Sequence, residues 1–469
     1  MRHSWWRYTV VGAVLLAGAN AVPAQGDPGD PFAGAPGLGD PYYPLDGNGG
    51  YDAKNYDITL GYDPASHAMT GSTRVDAVAT QALRTFNLDY SGPAISKVTV
   101  NNLPAWFDRT QEHELVITPM LPLLPGLPFT VQVEYGGDIT GTDGEGWVLS
   151  PSGGAFVAGE PHSASAWYPL NDTPLDKATF ALHATVPAEW EVMSNGLKIR
   201  DEVHGANRTV DWEMRQPVVG YLTTIAIDKF DFLAQQRANG TPLLSAFAPD
   251  VKQSTRDTEA RLPEFLDFLE QLYGPYPFDT AGGIYVDTDL QFSLETQSRP
   301  IYAPWTDLDT VVHELTHQWW GDSMSVKQWS DICLNECFAS YTADYLWPER
   351  MEGKDVDAMY RETVAKYRGE DKFWRIMLQN PGVGNEFTAV YYRGPLFLHA
   401  LRRTMGDAAF FGAVHDFVDG HRYGNASMPE FRQFMQSRTP IDLTGFLTAW
   451  LDRSEPPADE YLYPGSLRS

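Results

Sequence analysis

The sequence predicts an α+β protein in which an antiparallel β-domain precedes a mainly helical domain. From residue 51 to about 232, apolar and polar residues alternate in short segments separated by Gly, Pro, Asn and Asp, as in half-buried strands. Beyond residue 232 the apolar residues recur every three or four positions, as on one face of a helix. The chain of 469 residues, 43% hydrophobic and 13% aromatic, is long enough to bury the cores of two or three domains.

The first 24 residues are predicted to be a signal peptide. Arg2 and Arg7 are followed by an apolar run from Tyr8 to Ala17 and then by small residues up to Ala24. The run is shorter than the roughly 20 residues that span a bilayer. Residues 25–50 are rich in Gly, Pro and Asp and are predicted to form a flexible leader. We therefore expect a secreted protein, extracellular or periplasmic, without stable membrane insertion.

The formal net charge of −27 limits the possible partners. A polyanion repels nucleic acids and anionic membrane surfaces, so neither is expected to bind. The charge indicates solubility and leaves the oligomeric state open.

The strands and helices are predicted from particular apolar residues. In the predicted β-domain, residues 51–232, the segments 56–62, 129–135 and 180–186 alternate with period two. In the predicted helical domain, residues 233–469, helices are expected at 262–272, from Asp307 to Gly321, and around 334–346, 395–405 and 428–451.

The two cysteines of the sequence, Cys333 and Cys337, are four residues apart. Adjacent turns of one helix offer poor geometry for a disulfide, so we expect two small buried residues. A local metal or redox role is the alternative.

A zinc site is predicted on the helix that begins near Asp307. His313 and His317 are four residues apart, so both imidazoles project from one face and can bind the same ion. Glu314 lies beside the first histidine, where its carboxylate can take a proton from a water molecule at the metal. Glu336 follows His317 after 18 intervening residues, in a second apolar helical segment, and is the expected third ligand.

These residues resemble the aminopeptidase N family of zinc metallopeptidases, or gluzincins. The resemblance rests on the run His313-Glu-Leu-Thr-His-Gln-Trp-Trp-Gly321 and on the run Trp329-Ser-Asp-Ile-Cys-Leu-Asn-Glu336. It implies one zinc ion per chain, a thermolysin-like catalytic domain over residues 233–469, and cleavage of the N-terminal peptide bond of peptides. It also suggests a short bacterial-type member without the C-terminal helical domain of longer relatives.

Three further segments resemble family motifs and imply site residues. The Tyr391-Tyr-Arg-Gly394 segment implies that Tyr391 stabilises the oxyanion, with Tyr392 as the alternative register. The segment around Glu295 is similar to the family's Gly-x-Met-Glu-Asn loop, whose glutamate binds the substrate amine. Glu160, ahead of the segment from Trp167 to Pro174, is implied to be a second carboxylate at the amine site.

The same residues are compatible with two other functions. If the altered loop around Glu295 does not hold an amine, the same zinc chemistry suits a thermolysin-type endopeptidase. A catalytically inactive binding protein on a peptidase fold is the third reading, and the intact set of His313, Glu314, His317 and Glu336 argues against it.

Overall fold

The computed structural model describes residues 30–110, 113–142 and 145–468. The predicted signal peptide, residues 1–24, lies outside this part of the chain. None of the helices formed by the described residues has both the length and the apolar character that a membrane span requires.

The first half of the chain is built from strands, as the sequence predicts. They are β1 (Tyr51–Asp63), β2 (Ala68–Ala79), β3 (Phe86–Asp89), β4 (Ala94–Val100), β5 (Leu103–Thr110), β6 (Glu114–Pro119), β7 (Pro128–Asp138), β8 (Gly146–Leu149), β9 (Ala155–Ala158), β10 (Ala178–Pro187), β11 (Glu191–Ser194), β12 (Leu197–His204), β13 (Asn207–Val218) and β14 (Ile225–Asp228). Ten of them form one sheet in the order β12-β13-β10-β1-β2-β7-β4-β5-β6-β3, and β11-β14-β9-β8 form a second sheet.

The alternating pattern sets which face of each strand is buried. In β1, Tyr56, Ile58, Leu60 and Tyr62 are all buried, and the intervening residues are more accessible. β1 pairs in parallel with β10, with Tyr56 opposite Phe180, and antiparallel with β2. The other pairs of this large sheet are antiparallel, so the predicted β-rich fold of the first half is confirmed.

The second half combines helices with two small sheets. Its strands are β15 (Asp231–Gln236), β16 (Pro242–Phe247), β17 (Ile284–Tyr285), β18 (Ile301–Tyr302), β19 (Ser325–Val326) and β20 (Asn425–Ala426). They form the sheets β15-β16-β17-β18 and β19-β20. Its helices are α1 (Gln253–Glu259), α2 (Leu262–Tyr273), α3 (Leu308–His317), α4 (Cys333–Tyr341), α5 (Trp347–Glu352), α6 (Val356–Tyr367), α7 (Asp371–Trp374), α8 (Arg393–Met405), α9 (Asp407–Gly420), α10 (Met428–Ser437), α11 (Thr444–Leu451) and α12 (Asp459–Leu462). The fold class is therefore α+β, as expected.

The boundary between the β-rich half and the helical half lies slightly earlier in the chain than the sequence suggests. β15 begins at Asp231 and pairs with β16, which in turn pairs with β17 of the helical half. A boundary after residue 232 would cut β15, so the sheet places the change before Asp231. Strand alternation alone does not reveal it, because β15 continues the period-two pattern of the preceding domain.

The described part of the predicted leader, residues 30–50, is packed against both halves of the molecule. Asp40 accepts a hydrogen bond from the backbone N–H of Trp329 at 2.8 Å, and Tyr42 donates to Asn380 at 2.6 Å. Asn48 is fully buried and donates its side-chain amide to Asp89 at 3.0 Å. The prediction of a flexible segment is wrong for these residues, because its polar side chains have partners that lie far along the chain.

The cysteine prediction is half correct. Cys333 and Cys337 are buried, but they form a disulfide within α4. Their Cα atoms are 4.8 Å apart, inside the range that a disulfide tolerates, so the expectation of unbridged thiols is wrong. The bridge spans the helical turn that carries Glu336.

Candidate metal and catalytic site

The two predicted histidine ligands lie on α3. Asp307 caps this helix by accepting a hydrogen bond from the backbone N–H of Thr310 at 3.0 Å. Val311, Val312 and Leu315 anchor the helix in the core. The four-residue spacing then brings the Nε2 atoms of His313 and His317 to 3.1 Å from each other.

The predicted third ligand comes from α4. The Oε2 atom of Glu336 lies 3.2 Å from Nε2 of His313 and 3.5 Å from Nε2 of His317. Tetrahedral ligands at the usual zinc distances are about 3.3 Å apart, which agrees with this triangle. The three residues therefore fit a zinc ion without rearrangement.

The tautomer of His317 also suits a metal ligand. Its Nδ1 atom lies 2.9 Å from the backbone carbonyl of Trp320. Because a carbonyl oxygen only accepts, Nδ1 carries the proton and Nε2 presents its lone pair to the site.

Three further carboxylates surround this triangle. One oxygen of Glu314 and one of Glu295 lie within 4.8 Å of each other and of a ring nitrogen of His317. Glu160 and Glu295 each bring a carboxylate oxygen within 4.8 Å of one from Glu336. The structure thus brings together all four glutamates that the sequence indicates, although Glu160, Glu295 and Glu314 come from three different segments.

Burial makes these carboxyl groups strong proton acceptors. It raises the pKa values of Glu160 and Glu314 well above the ordinary range, and the nearby charge of Glu295 raises both further. For Glu336 burial acts in the same direction, but His317 and His313 outweigh it and lower the pKa to about 2. A positive charge placed among these groups, such as a metal cation or an ammonium group, would favour their ionised forms.

Tyr391 lies beside His313, one of the predicted metal ligands. It ends a 3₁₀ turn, Ala389–Tyr391, just before α8, and its ring centroid is 6.0 Å from that of His313. The ring of Tyr391 therefore lies next to a predicted zinc ligand.

Two contacts of Glu295 were not predicted. Tyr221 donates to Oε1 of Glu295 at 3.3 Å, and the Gln318 side chain donates to the backbone carbonyl of Glu295 at 3.0 Å. Gln318 directly follows the predicted ligand His317, so its position in the sequence could have indicated that it lies near the site. Tyr221 is 74 residues from Glu295, and no local pattern connects them.

Comparisons with known proteins agree with this architecture. The Peptidase M1 N-terminal domain matches residues 52–222, and the Peptidase family M1 domain matches residues 295–450. Endoplasmic reticulum aminopeptidase 1 of Homo sapiens is 24% identical over 86% of this chain and 47% of its own length. Tricorn protease-interacting factor F2 of Thermoplasma acidophilum is 22% identical, with 80% and 49% covered. The chain thus spans about half the length of these relatives.

Solved structures match over nearly their whole length. The M1 zinc metallopeptidase from Deinococcus radiodurans superposes with a TM-score of 0.82 at 26% identity, covering 90% of this chain and 99% of that one. A mutant of that protein bound to a Tyr-Ser-Ala substrate gives a TM-score of 0.81 at 26% identity, covering 90% and 98%.

Proposed function

The chain belongs to peptidase family M1, and from that premise we propose that it is a zinc aminopeptidase that cleaves the N-terminal bond of peptides. His313, His317 and Glu336 would hold the zinc ion. Zinc at such a site supplies Lewis-acid chemistry, which makes both a water molecule and the scissile carbonyl more reactive.

The remaining chemistry falls to side chains around the ligands. Glu314 is buried and its raised pKa makes its carboxylate a stronger base, suited to take a proton from the attacking water and return it to the leaving amine. Tyr391 has a hydroxyl group that can donate a hydrogen bond to the oxyanion of the tetrahedral intermediate.

The single observation that favours an aminopeptidase is the position of Glu160 and Glu295. Both carboxylates lie within 4.8 Å of the ligand Glu336, and Glu295 is held there by Tyr221. An ammonium group bound by these two glutamates would stand at a fixed distance from the metal ligands. Only the first peptide bond of a substrate would then reach the metal.

The test compares a peptide that has a free amino terminus with its N-acetylated form. We expect a much higher kcat/KM for the free peptide. In Glu295→Gln the preference should fall by roughly 10- to 10²-fold, since a hydrogen bond to a charged group is worth about 1.5–3 kcal/mol. Glu259→Gln, which changes a buried carboxyl outside the site, is the matched control.

Equal cleavage of both peptides by the wild-type protein would identify an endopeptidase instead. A Glu314→Gln variant should cleave neither peptide at more than about a hundredth of the wild-type rate while it retains zinc. Wild-type rates in that variant would show that another residue is the base.

We also propose that the protein is exported. The support is the charged and apolar pattern of residues 1–24 together with the Cys333–Cys337 disulfide, since disulfides persist mainly outside the cytosol. Fractionation and N-terminal sequencing of the mature protein would test export, and an intact Met1 in the cytosolic fraction would contradict it.

A further inference from the structure

A second group of metal-binding side chains lies in the β-domain. Asp89 ends β3 and Glu114 begins β6, and the two residues are paired opposite each other in the antiparallel ladder. His113 precedes Glu114. One donor atom from each of these three residues lies within 4.8 Å of the other two. None of them belongs to the catalytic site described above.

Asp46 of the N-terminal segment completes the group. Nε2 of His113 is 3.8 Å from Oδ1 of Asp46 and 3.8 Å from Oδ1 of Asp89. This nitrogen lies 3.3 Å from the backbone carbonyl of Leu45 and faces two carboxylates, one from the segment and one from the sheet. A metal ion bound there would replace the proton that the nitrogen shares with that carbonyl.

Buried oxygens without a hydrogen-bond partner point to a ligand at this place. Within the described residues, Oδ1 of Asp89 and Oε1 of Glu114 have none, although the side chains are only 1% and 2% exposed. Asn48, at 0% exposure, donates to Asp89 and also has an unpartnered Oδ1. Buried oxygens left in this way are costly unless something binds them.

The other oxygen of each carboxylate is held firmly. Oδ2 of Asp89 accepts from the side chain of Asn48 at 3.0 Å and from the backbone of Asp172 at 2.7 Å. Oε2 of Glu114 accepts from Asn87 at 2.9 Å. These bonds fix the orientation of both carboxylates, as the supporting partners of metal ligands do.

The charge of the group is not balanced by lysine or arginine. Among the described residues, the ion pairs of Asp46 are with His113 and His162, and that of Asp89 is with His113. Buried carboxylates are normally paired with a cation or coordinate a metal.

We propose that Asp46, Asp89, His113 and Glu114 bind a divalent transition-metal ion such as Zn²⁺ or Mn²⁺. A histidine nitrogen among carboxylates favours these ions over Ca²⁺ and Mg²⁺, which prefer oxygen ligands. The ion would join the N-terminal segment, through Asp46, to the ends of β3 and β6. Its role is structural, because it shares no ligand with the catalytic triangle.

The test measures metal content in the full-length protein by mass spectrometry, after separate dialysis against Zn²⁺ and Mn²⁺. His313→Ala disables the catalytic site, so we expect this variant to retain about one ion per chain in at least one of the two arms. The double variant His313→Ala/His113→Gln should retain none. His313→Ala/His183→Gln, which changes a partly exposed histidine of the same domain, is the matched control and should keep the ion.

Thermal melting provides a second readout. In His313→Ala, adding the bound ion should raise Tm, because a ligand that binds only the folded state stabilises it. The rise should disappear when His113→Gln is added. The proposal is overturned if His313→Ala holds no ion in either arm. It is also overturned if His313→Ala/His113→Gln holds as much ion as His313→Ala/His183→Gln. Peptide hydrolysis by the single variant His113→Gln should match wild type, which shows that it folds.

Discussion

Tyr391 and Tyr392 are adjacent residues with different surroundings. The ring of Tyr391 lies 6.0 Å from that of His313, centroid to centroid. The pKa of Tyr392 is raised by burial and then by Tyr367 and Asp344, residues outside the candidate metal site. The hydroxyl group of Tyr391 is therefore the better candidate to donate to the oxyanion.

We predict that Tyr391→Phe lowers kcat by roughly 10²- to 10³-fold, the usual effect of losing one oxyanion donor. Zinc content should stay near one ion at the catalytic site, because the ring and its contact with His313 remain. Tyr392→Phe is the matched control and should keep kcat within a few-fold of wild type. Steady-state kinetics with metal analysis measure both, and the reverse pattern would assign the role to Tyr392.

The sequence predicted some of these residues better than others. His313 and His317 follow from helical periodicity alone, because residues four apart share a face. Glu336 was indicated by its place in a second apolar helical segment after His317, whereas Glu295 was identified through family resemblance. Tyr221 was missed, because its contact with Glu295 depends on how the two halves of the chain pack together.

At the scale of elements, α4 and α8 approach each other closely beside the site. A Cβ atom added at Gly394 would lie 2.5 Å from Sγ, 2.8 Å from Cβ and 2.9 Å from Cα of Cys337. Part of this contact is backbone, so it cannot be relieved by a side-chain rotation. α4 carries Glu336, and Tyr391 lies two residues before the start of α8 at Arg393.

We predict that Gly394→Ala destabilises the protein by about 1–3 kcal/mol, as other overpacked cores are destabilised. It should also lower kcat, because the two helices can separate only by moving Glu336 relative to Tyr391. Gly412→Ala is the matched helical control, since an added Cβ there has open space within 4 Å and alanine favours helix. Chemical unfolding and kinetics measure the two effects, and equal stability of both variants would contradict the close contact.

The helix α1 is joined to the sheet β15-β16-β17-β18 by a buried carboxyl group. Glu259, the last residue of α1, accepts hydrogen bonds from Ser245 of β16 and, at 2.6 Å, from Tyr285 of β17. Burial raises its pKa from 4.5 to about 7 despite these two bonds. The folded protein therefore keeps the proton over a pH range in which the unfolded chain loses it.

This shift makes stability depend on pH. Between pH 4.5 and 7 the folded state binds more protons at Glu259 than the unfolded state does, so its contribution to stability is complete below this range and is lost as pH rises through it. Glu259→Gln has no carboxyl proton to lose in this pH range. We predict that its stability relative to wild type increases by an amount on the order of 3 kcal/mol between pH 4.5 and 7.5. Urea unfolding at several pH values measures it, and a constant difference would refute the shift.

Element prediction succeeded where periodicity was unambiguous and failed at junctions. β1, β7 and β10 were predicted because their buried and exposed faces alternate. The predicted helix 428–451 is instead two helices, α10 and α11, separated at residues 438–443. The apolar pattern continues through this break, because Leu443 is buried in the same core.

At the scale of the whole molecule, residues 40–48 connect the two domains. Tyr42 donates to Asn380 at 2.6 Å and accepts from the backbone N–H of Gly382 at 2.8 Å. Tyr43 donates to Glu386 at 3.0 Å and packs edge-on against Trp329. Composition suggested flexibility here because Gly, Pro and Asp dominate, and the contacts that order the segment lie more than 300 residues away.

The hydroxyl group of Tyr42 gives a direct test of this connection. In Tyr42→Phe the ring stays, but Asn380 and the backbone of Gly382 each lose a hydrogen bond at a partly buried place, and each bond contributes about 0.5–1.5 kcal/mol to stability. We predict a lower Tm and faster proteolytic cleavage within residues 30–50. Tyr62→Phe is the control, because it removes a hydroxyl that bonds His67 within the β-domain at 2.9 Å and should leave cleavage of the segment unchanged. Limited proteolysis with N-terminal sequencing measures the rate of cleavage within residues 30–50. Equal rates in wild type and Tyr42→Phe would show that the segment is held by its other contacts.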